Sequence, residues 1–155
     1  MASEPIDTHR HGSDKVPLHL WAVGVIALLW NAIGVTDYVM TRLHHDVYFR
    51  TVMPGVEPTT VYAYIDAMPM VAQAGWGLGV WGAAAGTLFL LARSRWAVWA
   101  YLASLVGAVV TFRIQYDGPK PPEGMDDGIM PVVITAIALA LYLYARAMRA
   151  RRVLS

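Results

Sequence analysis

A chain of 155 residues is long enough for one domain, and 57% of it is hydrophobic while only 15% is charged. Water-soluble domains run at about 45–50% and about 25%, so this composition excludes an ordinary soluble fold and asks for lipid as the solvent. The net charge of +1 gives no bulk attraction for nucleic acid, and the absence of cysteine excludes disulfides, thiol nucleophiles and cysteine metal sites.

In chain order, residues 1–16 are polar and too poor in apolar bulk to fold, which predicts a disordered tail. His9 and His11 beside Asp7 and Asp14 form a weak metal motif there. A first span is expected over about 18–40, because roughly 20 helical residues cross a bilayer core about 30 Å thick. Trp30, Asn31 and Asp37 stand where a signal peptide would be cut, so the span is read as uncleaved. A long connection over 41–68 follows, with a Pro54-Gly55 turn and a short interfacial helix expected near 59–68. The adjacent His44, His45 and Asp46 point apart on a helix or strand and make a poor metal site.

The second span, about 70–92, carries Gly75, Gly79, Gly82 and Gly86 on one helical face. Lipid supplies no hydrophobic drive between helices, so such a stripe is expected to let another backbone approach closely. The third span, about 96–114, has its own small stripe through Ala100, Ser104, Gly107 and Thr111, and the two spans are expected to pack against each other. A Pro- and acid-rich loop leads to a fourth span over about 129–148, with Pro131 harmless in its first turn, and residues 149–155 form a basic tail. The expected fold is an all-α, membrane-spanning, four-helix antiparallel bundle. Arg10, Lys15, Arg93, Arg95, Arg146, Arg149, Arg151 and Arg152 lie on one side and only Arg42, Arg50, Arg113 and Lys120 on the other, which predicts both termini in the cytoplasm.

Polar residues within the spans are few. Asn31, Gly34 and Tyr38 share a face of the first helix, with Trp30 and Asp37 at its edge. Two readings stand side by side. In one, Trp30, Asn31 and Gly34 pack against the glycine stripe and fix register. In the other, Asn31, Asp37, Tyr38 and Gln73 line a pocket opening away from the termini. Asp37 is expected to pair with Arg113 or to bond to Gln73. No catalytic group set, cofactor motif or metal cluster is visible, and a single intramembrane carboxylate is too little for a proton relay.

The run LLWNAIGVTDY, the Met68-Pro69 entry and the stretch AGWGLGVWGAAAGTLFLLARSRWAVWAYLASLVGA resemble a family of small bacterial four-helix inner-membrane proteins that sometimes carry the label "sugar transporter". The resemblance covers about 28–110 and rests on Trp30, Asn31, Gly34, Pro69, Gly79, Gly82, Gly86, Arg93, Ser104 and Leu105; it departs after Pro69, where the family has an early Trp. It implies the same architecture and a bacterial inner-membrane location. The functional expectation is an accessory or oligomerising membrane protein, acting through itself or a membrane partner within the bilayer and not as an enzyme. The alternative is a small-solute transporter or channel subunit, with sugar as the solute that the family label names.

Overall fold

The computed structural model describes residues 17–125 and 128–155. The tail residues 1–16, with their histidine motif, lie outside the described residues. Among the described residues there are six helices: α1 (Leu18–Arg42), α2 (Asp46–Val52), α3 (Pro58–Asp66), α4 (Met70–Leu91), α5 (Trp96–Asp117) and α6 (Met130–Ala150). Four of them, α1, α4, α5 and α6, are long and apolar enough to cross a bilayer. Their outward faces are oily: Ile26 is 68% exposed and Val132 67%. Water would not tolerate such faces at this extent, and the fold is that of an all-α, multi-pass membrane protein.

The four long helices stand in chain order as an open arc, with α4 between α1 and α5, and α6 on the far side of α5. Each neighbour runs antiparallel to the last. In the α4–α5 seam, Ala72 meets Thr111, Gly79 meets Ser104, and Gly86 meets Tyr101. This seam is closed by missing side chains. A β-carbon on Gly82 would lie 2.9 Å from the Ser104 nitrogen, and one on Gly75 would lie 3.0 Å from the Gly107 carbonyl. Hydroxyls from α5 lock it: Ser104 donates to the Gly79 carbonyl at 2.7 Å and Thr111 to the Ala72 carbonyl at 3.0 Å.

At one end of the bundle, here called the base, the start of α1, the α4–α5 turn and the end of α6 converge. His19 Nδ1 and the Tyr144 hydroxyl lie 2.6 Å apart, joining α1 to α6. Leu20, Leu90, Ala97, Tyr101, Leu141 and Met148 fill the space between the helices. The residues after α6, expected to be a charged flank, turn back into the bundle. Leu154 is 4% exposed, and Ser155 exchanges backbone hydrogen bonds with the α4–α5 turn, donating to the Arg93 carbonyl at 2.9 Å and accepting from the Arg95 N–H at 3.0 Å.

At the opposite end the expected loop 41–68 holds two short helices, one more than the sequence suggested. α2 is easily missed because its N-cap is a histidine, His45, whose ring accepts from the Tyr48 N–H at 3.2 Å. Phe49, Val61, Tyr62 and Ile65 form a small core of their own, resting on Trp76 of α4 and Met125 of the α5–α6 loop. The pair thus makes a lid.

Candidate functional site: a cavity under the α2–α3 lid

Away from the base, α1 and α6 do not pack on each other, because α4 and α5 hold them at opposite ends of the arc. The space between them is a cavity of about 900 Å³. Its walls come from all four long helices: Trp30, Ile33 and Gly34 of α1, Trp76 and Val80 of α4, Ala108 and Phe112 of α5, and Ile134 and Ile137 of α6. Phe49, Met53, Val61 and Ile65 of the lid cover one end, and Tyr101 and Leu141 belong both to the floor and to the packed base beneath it. The volume lies at the upper end of the range for small-molecule sites, about 300–1,000 Å³, and the lining is chiefly apolar as in such sites.

One polar cluster reaches the floor. Asn31 stands 13 residues into α1, about 20 Å along its axis and so near mid-bilayer. Its Nδ2 donates to Thr87 Oγ1 at 2.7 Å and to the Ala83 carbonyl at 3.2 Å. Thr87 Oγ1 is also 3.1 Å from the Ala83 carbonyl and 2.8 Å from the Tyr101 hydroxyl. Asn31, Thr87 and Tyr101 from three helices therefore form one buried hydrogen-bonded set. Thr87 and Tyr101 were not singled out from the sequence, because neither a threonine nor a tyrosine in an apolar span carries a local sign of its partner.

A second polar group sits under the lid. Asp37, also in the cavity wall, accepts a hydrogen bond from the Tyr48 hydroxyl at 3.3 Å, which ties α2 to α1. The expected partners of Asp37 are engaged elsewhere. Arg113 reaches Asp117, one turn along its own helix, and Gln73 accepts from Arg42 at 2.9 Å while donating to the Met68 carbonyl at 2.9 Å. A carboxylate four residues on along the same helix lies within direct reach of Arg113. Tyr38 turns outside the cavity, edge-on to Trp76 at 4.6 Å, with its hydroxyl over Gly77. Of the four residues expected to line a pocket and Arg113, expected beside Asp37 at its rim, the structure brings Asn31 and Asp37 to the cavity and leaves Tyr38, Gln73 and Arg113 outside it.

The residues expected in packing divide as well. Gly75, Gly79, Gly82 and Gly86 face α5, where they meet Gly107, Ser104 and the Tyr101 ring. Gly34 has nothing within 4 Å of where a β-carbon would stand, and with Trp30 it lines the cavity in place of the glycine stripe. The His44-His45-Asp46 triplet diverges: His44 pairs with Asp66 at 3.3 Å and stacks on Tyr62, His45 caps α2, and Asp46 accepts from the Tyr62 hydroxyl at 3.2 Å.

The lid contacts titrate. Burial first, then the neighbouring Asp37, raises the Tyr48 phenol above its ordinary 10.0, and burial and the bond to Asp46 raise Tyr62 likewise. A phenol whose proton is held more tightly in the folded state contributes stability that is complete below the unfolded value and is lost as pH climbs through the folded one. Lid protection, read by hydrogen exchange over residues 46–66, is therefore expected to hold from neutral pH to about 10 and to fall above it. In Tyr48→Phe the fall is expected to be smaller; an unchanged alkaline fall would remove Tyr48 from the latch.

These features define a class: a multi-pass helical membrane protein with a mostly apolar cavity between α1 and α6, roofed by two short helices. No protein-family model, curated protein or solved structure matches the chain.

Proposed function

We propose that this protein binds a small, largely apolar molecule within the bilayer, and acts by binding and not by chemistry. The observation that carries the reading is the cavity of about 900 Å³ between α1 and α6, with apolar walls and a polar cluster at its floor. It favours the binding alternative over a purely structural role, because the close-packing glycine stripe is used inside the chain, against α5, and is not left free for a partner. A membrane solute-handling role, as its family resemblance would suggest, is the wider frame for such binding. The basic residues gathered at the base support a topology with both termini in the cytoplasm of a bacterial inner membrane.

The test is to fill the cavity at Gly34, where there is room for a side chain. Native mass spectrometry of the protein released from mild detergent is expected to show wild type retaining a non-covalent apolar adduct. Gly34→Phe should lose that adduct while melting within a few degrees of wild type. An adduct that persists in a folded Gly34→Phe, or wild type that takes up no apolar molecule, would defeat the reading.

A further inference from the structure

Asn31 is only 7% exposed, yet the protein uses one half of its carboxamide. The NH2 group has both hydrogens engaged, on Ala83 and Thr87. Exchanging the amide oxygen and nitrogen would set two acceptors, Oδ1 and the Ala83 carbonyl, against each other, so the assignment is fixed by chemistry. Oδ1 receives no hydrogen bond from the described residues. Among those residues no fully enclosed side-chain oxygen or nitrogen lacks a partner, so Oδ1 is reached from the cavity that Asn31 lines.

Three hydroxyls of the wall have their hydrogens engaged. Thr41 donates to the Asp37 carbonyl at 2.7 Å, and Ser104 and Thr111 donate across the seam to Gly79 and Ala72. A hydroxyl has one hydrogen, and in each of these it is turned into a helix backbone. Two acceptors of the wall are Asn31 Oδ1, left open near mid-bilayer, and, six residues or about 9 Å further along α1, the Asp37 carboxylate; Trp30, Trp76, Gln115 and Lys120, which can donate, also line the cavity.

We infer that the ligand of this cavity is an uncharged, long-chain or polycyclic alcohol whose hydroxyl donates to Asn31 Oδ1. The inference rests on the binding reading above and specifies its chemistry. At Asn31 Oδ1 a molecule with only carbonyl or ether oxygens would face acceptor with acceptor. A carboxylate has no hydrogen to donate to Oδ1 and would carry its charge toward mid-bilayer, where an ion is costly. An alkane would leave Oδ1 unsatisfied, a loss that hydrogen-bonding sites turn into discrimination.

The experiment compares matched sixteen-carbon probes in lipid nanodiscs. Radiolabelled hexadecanol is displaced from wild-type protein by unlabelled hexadecanol, methyl hexadecanoate or hexadecanoate. Hexadecanol is expected to compete at least about tenfold better than the ester, the equivalent of one buried hydrogen bond of about 1.4 kcal/mol, and hexadecanoate is expected to be the poorest. In Asn31→Leu the alcohol and the ester should compete alike. If the two are already equal on wild type, the alcohol assignment falls while the cavity reading stands. If none of the probes binds wild type and Gly34→Phe behaves identically, both fall. The wild-type comparison decides the question even if Asn31→Leu does not fold.

Discussion

Gly107→Ala is expected to destabilise the bundle by about 3 kcal/mol, the upper end of what one added methyl causes in a tightly packed interior. The reason is what the methyl would strike. A β-carbon at Gly107 would lie 2.6 Å from the Gly79 nitrogen and closer still to the Gly75 carbonyl, and both are backbone atoms of the facing helix. Neither can rotate away, so α4 and α5 must separate. That separation would weaken the Ser104 and Thr111 bonds to α4 as well. The measurement is thermal unfolding in mild detergent, with Gly34→Ala as the control. Gly34 has open space around it, and exchanging glycine for alanine in a helix interior is worth up to about 1 kcal/mol in the stabilising direction. Gly107→Ala melting level with Gly34→Ala would contradict the seam.

Leu154→Ala is expected to cost about 2–5 kcal/mol, the range for truncating a buried leucine. Leu154 is 4% exposed among Leu20, Ala97, Ala145 and Met148, at the base where the four long helices converge. Loss of its side chain should also loosen the hydrogen bonds by which Ser155 holds the α4–α5 turn. The neighbouring Arg152→Ala, a substitution of an exposed residue, is the comparison, and it should leave stability within about 0.5 kcal/mol of wild type. Protease resistance of the α4–α5 turn in Leu154→Ala equal to that of wild type would show that the tail is not part of the base.

The architecture was readable because lipid imposes a strict rule. Every backbone polar group in the hydrocarbon must be satisfied, so long apolar runs become helices. The helices overrun the expected spans by up to three residues at Arg42, Asp117 and Ala150, because hydrogen bonding continues into the interface after hydropathy stops. The α4–α5 pairing was readable for a similar reason: glycines repeated on one face have few uses other than close approach. The cavity was not readable. It arises from the splay of α1 from α6, and no local pattern encodes the distance between helices that are not neighbours in the arc. Partner choice was equally hidden. The sequence offered Asp37 the residues Arg113 and Gln73, yet those groups bond Asp117 and Arg42, and Tyr48 came from a helix capped by an unusual residue. At the C-terminal end, a run of arginines masked a leucine that belongs to the core.

The separation of α1 from α6 has one consequence for measurement. An opening between two helices faces hydrocarbon, so the membrane itself is the reservoir from which the cavity fills. Each methylene moved out of water is worth about 0.8 kcal/mol, so long-chain molecules accumulate in the bilayer before they meet the protein. Occupancy then follows mole fraction in the lipid phase and not molarity in the buffer. Doubling the lipid at fixed total ligand should lower occupancy about as much as halving the ligand would.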